Sequence, residues 1–70
     1  MAEVKVVTAD VIQGIVDRYV EGQSRPEDRG AFIAREGDCW VAVDNTTGDC
    51  WVEEFKTEAK ARAYAERSAN

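Results

Sequence analysis

Histidine is absent from this sequence, and cysteine is scarce, with two residues in 70. Without imidazole, no side chain has an unperturbed pKa near neutrality, so we expect no histidine-based metal site, triad or general base. Cys39 and Cys50 are too few for a disulfide framework, and their acidic neighbours disfavour a reactive thiolate. We therefore expect no cofactor, no metal and no enzymatic activity.

Long apolar runs are also missing. No run approaches the ~18 residues of a membrane span, and the segment Met1-Ala2-Glu3-Val4-Lys5 has no basic stretch followed by an apolar one. These absences predict no membrane contact and a cytoplasmic location. A chain of 70 residues leaves little room for both a core and an enclosed pocket, so we expect a single domain, residues 1–70, that works by binding.

Apolar periodicity gives the predicted helices. Thr8 is typical of a helix N-cap, and apolar residues at helical spacing follow it until Gly22, which suits a helix end. A second helix is predicted from Glu58 to about Ser68, with Thr57 as its cap.

Three strands are predicted between these helices, at Ala31–Arg35, Cys39–Val43 and Cys50–Phe55. Short turns between them favour an antiparallel meander. The fold class is therefore α+β, in the order α-β-β-β-α, with a three-stranded antiparallel meander and two flanking helices. Residues 4–7 also allow an extra N-terminal strand, and the pattern leaves this open.

Turns at Glu36-Gly37 and between Asp44 and Asp49 set the predicted register, in which Ile33 opposes Trp40 and Val43 opposes Cys50. Alternation of side chains then defines two faces of the sheet. The aliphatic face, expected to pack on the first helix, carries Phe32, Ala34, Cys39, Val41, Val43, Cys50 and Val52. The aromatic face carries Ile33, Trp40, Ala42, Trp51, Glu53 and Phe55.

Two further expectations depend on this register. Trp40 and Trp51 should be diagonal neighbours on the aromatic face. Cys39 and Cys50 should lie too far apart for a disulfide, as free, buried thiols.

Acidic residues are concentrated in one stretch of the chain. The formal net charge is −5, and residues 36–54 contain six acids and no Lys or Arg: Glu36, Asp38, Asp44, Asp49, Glu53 and Glu54. Such a field repels nucleic acid and attracts basic partners. The alternative is that these acids only solubilise the surface and protect sheet edges.

Trp40 and Trp51 are candidate anchors for a protein partner, because tryptophan is enriched at interface hot spots. The alternative is that the last helix covers them, since a small chain needs its large side chains in the core.

The order α-β-β-β-α resembles the double-stranded RNA-binding domain, and residues 57–65 resemble the C-terminal helix of that family. The lysine pair with which the family grips phosphates is missing, since Thr57 and Glu58 stand near its place. The resemblance therefore implies topology alone, and we expect no direct nucleic-acid binding.

A short, acidic, histidine-free chain with a meander and flanking helices is similar to small phage-encoded inhibitors, including anti-CRISPR proteins. This similarity implies a non-enzymatic inhibitor or adaptor that engages a host protein or nucleoprotein complex with a basic surface. The alternative is a module that forms a homodimer through its aromatic sheet face or an edge strand.

Overall fold

The structure, a computed structural model, describes residues 4–68. Its elements in chain order are β1 Val4–Thr8, α1 Ala9–Val20, a 3-10 turn Pro26–Asp28, β2 Gly30–Glu36, β3 Cys39–Asn45, β4 Trp51–Phe55 and α2 Glu58–Ser68. The fold is α+β as predicted, and the N-terminal strand that the sequence left open is formed.

The four strands make one sheet in the order β1-β2-β3-β4. β1 pairs with β2 in parallel, whereas β2 with β3 and β3 with β4 are antiparallel. The sheet is therefore mixed, and the predicted meander forms only part of it. The parallel pair arises because α1 carries the chain back between β1 and β2, whereas short turns join the other strands.

Helix α1 covers one face of the sheet. The Thr8 hydroxyl accepts a hydrogen bond from the Val11 N–H at 3.4 Å, which caps the helix as expected. Ile12 and Ile15 are buried against the aliphatic face of the sheet, on Phe32, Ala34, Val41 and Val43. The prediction that this face packs on the first helix is confirmed for β2 and β3, whereas Val52 in β4 is 46% exposed.

Helix α2 covers the opposite face, so the sheet lies between two helices. The Thr57 hydroxyl accepts from the Lys60 N–H at 3.2 Å and caps the helix. Ala61 and Ala65, both 0% exposed, pack on a cluster that includes Ile33. Two alanines at this contact allow the helix axis to approach the sheet closely.

Within the described residues 4–68, neither helix is long and apolar enough to cross a membrane.

Ala61→Leu is expected to lower the free energy of unfolding by about 2 kcal/mol, because the added carbons must displace α2 from the sheet. Ala63→Leu is the matched control, since Ala63 is exposed on the same helix and should change stability by less than about 0.5 kcal/mol. Urea unfolding of both variants measures the difference. Equal destabilisation would show that helix propensity, and not packing, dominates.

The first hairpin turn differs from the prediction. The turn is Gly37-Asp38, closed by the pair Glu36–Cys39, so Ile33 opposes Ala42 and not Trp40. Gly37 has φ +62°, a conformation that suits glycine at the first central position of a hairpin turn. The register prediction was wrong by two residues for this reason.

The second hairpin is displaced by the same amount. Val43 opposes Val52 and not Cys50, and a five-residue loop, 46–50, joins the strands. A shift of two residues keeps every side chain on its predicted face, so both face assignments survive the register error.

The shift does change which aromatic residues are neighbours. Trp40 opposes Phe55, whereas Trp51 opposes Asp44. The rows that contain Trp40 and Trp51 are therefore four residues apart along β3, which is roughly 13 Å at the usual strand rise. The predicted diagonal contact of Trp40 with Trp51 was therefore wrong.

The cysteines are free, as predicted, but they are half-buried and not fully buried. Cys50 lies in the loop before β4, packed at the margin of the α1 core.

A partly buried ion pair joins α1 to the 3-10 turn Pro26–Asp28. Arg18 donates from Nε and from Nη2 to the two carboxylate oxygens of Asp28, each at 2.7 Å. The Arg25 N–H donates to the same carboxylate at 3.0 Å, and the Asn45 side-chain amide donates to the Asp28 carbonyl at 2.8 Å. Hydrogen bonding from Arg18 lowers the pKa of Asp28 to about 2.

Candidate protein-binding surface

β4 is the outermost strand beside β3 in the described sheet. Four of its five side chains are exposed and Phe55 is half-buried. Trp51 is 60% exposed and Val52 is 46% exposed, which is unusual for large apolar side chains in a strand. This strand therefore presents apolar surface to solvent next to its two carboxylates.

The position of α1 explains why β4 is uncovered. A helix is about 10 Å wide and strands lie roughly 4.8 Å apart, so one helix covers about two strands. α1 contacts β1 and β2 most closely, since it connects them. On the α1 side of the sheet, Val52 and Glu54 therefore remain exposed.

The hairpin geometry determines which backbone groups of β4 face outward. The turn at Gly37-Asp38 makes Glu36 and Cys39 a hydrogen-bonded pair. Such pairs alternate along antiparallel strands, so odd residues of β3 bond to β2 and even residues bond to β4. The N–H and C=O groups of Val52 and Glu54 consequently point away from β3. Within the described residues no strand lies beyond them.

The six predicted acids are not gathered in one cluster. Glu53 and Glu54 are exposed in the middle of β4, on opposite faces, and Asp49 is exposed in the loop before it. Glu36 and Asp38 are exposed at the opposite end of β3, about 20 Å from that loop at the usual strand rise. The exposed acids therefore lie near both ends of β3 and along β4.

Asp44 belongs to the interior and not to this surface. It is 8% exposed, and one carboxylate oxygen accepts from the Thr46 N–H at 3.1 Å and from the Thr46 hydroxyl at 2.7 Å. Asp44 therefore shapes the start of the β3–β4 loop, which removes it from the residues expected to meet a partner.

The two tryptophans have different environments. Trp40 is half-buried and packs on the core under α2, opposite Phe55. The rings of Phe55 and Tyr64 lie 5.4 Å apart, inclined at 45°. The expectation that α2 covers this face applies to Trp40, whereas Trp51 remains available as an anchor.

A cationic cleft borders the acidic strand. It has a volume of about 330 Å³ and is lined by Phe55, Lys60, Ala63, Tyr64 and Arg67. The surface is thus divided, with carboxylates along β4 and cations on α2 beyond Phe55.

The Cys50 thiol has little chemical reactivity in this setting. Burial raises the pKa of the Cys50 thiol, and the carboxylates of Asp28 and Asp44 raise it further. A thiol with a raised pKa is neutral near pH 7 and a poor nucleophile. In residues 4–67, whose side chains are described, no group of three or more Cys, Asp or Glu side chains is placed to hold a metal ion.

Comparison of this chain with protein-family models, with curated proteins and with solved structures found no match.

Sequence reasoning missed Val52 as a surface residue and missed the Arg18–Asp28 pair. Val52 was assigned to the covered aliphatic face. Because one helix covers only about two strands, its width was the signal that an outer strand such as β4 would stay exposed. The pair joins residues ten positions apart, across a loop of irregular conformation, and no periodic pattern marks such a contact.

Proposed function

We propose that this protein is a non-enzymatic inhibitor or adaptor of the cytoplasm that binds a host protein through an acidic surface. The partner surface is basic and belongs to a nucleic-acid-handling protein or nucleoprotein complex. Small phage-encoded inhibitors, including anti-CRISPR proteins, are similar in kind. The observation that carries the proposal is the exposed β4 strand, with Trp51 and Glu53 on one face of the sheet and Glu54 on the other.

The charges and the exposed apolar area have complementary roles. Carboxylates on both faces of β4 attract and orient a basic partner, which mainly raises the association rate. Trp51 provides a large, rigid contact area with few rotatable bonds, which mainly slows dissociation. Because this surface carries the same sign of charge as a nucleic-acid backbone, it repels nucleic acid itself.

Self-association is the second candidate, supported by the exposed Val6, Trp51 and Val52. The aromatic sheet face supplies little of the required area, because α2 packs on Trp40 and Phe55. A homodimer would therefore use the sheet edges. Light scattering over a range of concentrations separates the two candidates, since the inhibitor needs no dimer.

The double charge reversal Glu53→Lys, Glu54→Lys is expected to weaken partner binding about tenfold at physiological ionic strength and to flatten its salt dependence. Tagged wild-type and variant proteins are used to capture partners from a bacterial lysate, which are identified by mass spectrometry. Affinity is then measured with the purified partner at increasing salt. Unchanged affinity would contradict the electrostatic part of the proposal.

The matched control is the reversal Asp17→Lys, Glu21→Lys, which changes net charge equally at exposed positions on and just beyond α1. It should leave binding within about twofold, because these side chains belong to α1 and its C-cap and not to β4. The final readout is the affinity of the captured partner for its nucleic acid. If added protein leaves that affinity unchanged, inhibition is contradicted, and an adaptor role remains.

A further inference from the structure

We infer that the β4 edge receives an extended segment of the partner as a fifth strand, and that this segment carries two consecutive basic residues flanked by apolar ones. The inference rests on the proposed function, because it specifies how the basic partner is engaged. Three features of β4 together carry it. Backbone groups of the strand point outward, apolar side chains are exposed, and two consecutive carboxylates lie on opposite faces of the sheet.

The backbone of β4 is ready for strand addition. The N–H and C=O groups of Val52 and Glu54 point away from β3, so an added strand can exchange hydrogen bonds with both residues. β4 is five residues long, with no bulge in its pairing to β3, so its register is regular. Proteins commonly blunt an open edge with charge, and here the charges are all of one sign.

The side chains of β4 define the added strand. Residues opposite one another in neighbouring strands share a face, so an added residue opposite Glu53 lies on the α2 side and one opposite Glu54 lies on the α1 side. Both require a cation, and they are consecutive in the added strand. The residues opposite Val52 and Phe55 meet apolar neighbours. The complementary segment therefore reads apolar, basic, basic, apolar.

A second copy of this chain fits the edge less well. Antiparallel pairing of β4 with itself over its full length places Glu53 opposite Glu53, and like charges directly opposite are destabilising. The other edge strand, β1, offers one cation, Lys5, where two are needed. Charge complementarity therefore favours a basic segment of another protein.

The test uses a fluorescein-labelled peptide in which a central Lys-Arg pair is flanked by valines and then threonines. Binding to the wild-type protein is followed by fluorescence anisotropy. Two N-methylated isomers of the peptide are compared. One is methylated on the backbone nitrogens of the residues that bond to Val52 and Glu54, and the other on the backbone nitrogens of the intervening residues. The first isomer is expected to bind about tenfold more weakly, and the second within about twofold of the parent.

A protein variant tests the same contact from the other side. Val52→Pro removes one outward N–H, and proline is tolerated in an edge strand where the N–H faces solvent. It is expected to bind the peptide about tenfold more weakly, whereas the control Val52→Thr keeps the N–H and should bind within about twofold. Circular dichroism and thermal melting check that both variants fold.

The outcomes separate the inference from the proposed function. Equal binding of the two N-methylated isomers, or no binding of the parent peptide, overturns strand addition even if a salt-sensitive partner is captured. Conversely, isomer-dependent peptide binding supports strand addition even if no captured partner loses nucleic-acid affinity. A molar mass in solution that rises to that of a dimer with increasing concentration, and that returns to that of a monomer in Val52→Pro, would assign the edge to a second copy and overturn the inference.

Discussion

Asp28→Asn is expected to lower the free energy of unfolding by about 2 kcal/mol at neutral pH, because it leaves Arg18 without its carboxylate partner. Asp28 is 2% exposed and accepts three hydrogen bonds, two from Arg18 and one from the Arg25 N–H. The Arg18 side chain is 28% exposed, so water reaches it and the loss falls below that of a fully buried pair. Urea unfolding monitored by tryptophan fluorescence measures the change.

The pH dependence of stability gives an independent reading of the same pair. The folded-state pKa of Asp28 is about 2, below its ordinary value of 3.8, so the unfolded chain binds the proton more readily. Its stabilisation is therefore complete above about pH 4 and is lost as the pH falls towards 2. The difference in the free energy of unfolding between wild type and Asp28→Asn should therefore decrease over this interval. A difference that stayed constant would argue against the pair.

Glu27→Gln is the matched control for this variant. Glu27 is adjacent in sequence and its carboxylate lies 3.9 Å from Arg25, but both side chains are largely exposed. Exposed pairs contribute little, so the change should be under about 0.5 kcal/mol. A comparable loss from both variants would mean that net charge, and not the buried contact, sets the stability.

Ile33→Ala is expected to have the largest effect on stability, a loss of about 3 kcal/mol. Ile33 is 0% exposed at the centre of the α2 side of the sheet, where it packs with Ala61 and Ala65. Those alanines are too short to fill the space that the substitution leaves. A domain of this size has a total stability of roughly 4–10 kcal/mol, so the melting temperature should fall by roughly 15 °C.

Val6→Ala is the control for the lost side-chain volume. Val6 lies directly opposite Ile33 in β1 and on the same face, yet it is 56% exposed. Its truncation should lower stability by less than about 1 kcal/mol. If both variants melted at the same temperature, the α2 side of the sheet would not be the cooperative core that the burial indicates.

The fold was largely predictable from local pattern. Thr8 and Thr57 begin the two helices as their capping chemistry predicts, and alternation placed Val41 and Trp40 on the correct faces. The turn was less predictable, since Gly37 can occupy more than one turn position and only the paired strands select one. Placing the turn one residue later shifts the register by two residues, which keeps the faces and changes the cross-strand neighbours.

The candidate site was predictable only in part. The acidic stretch of residues 36–54 was plain from composition, but Asp44 lies inside and the other acids are divided between the two ends of β3 and β4 itself. Trp40 and Trp51 share one residue type and one sheet face, yet only Trp51 is mostly exposed. The coverage by α2, and not the residue type, makes this distinction.

By itself, the sequence determined which residue types are present, where the helices begin, and which side chains alternate to each face. These follow from interactions over a few neighbouring residues, such as caps, glycine conformations and the strand period. Only the tertiary structure decided that β1 joins the sheet in parallel, that Arg18 meets Asp28, and that β4 is an open acidic edge of the sheet formed by residues 4–68. Those features depend on contacts between residues that are far apart in the chain, which no local pattern encodes.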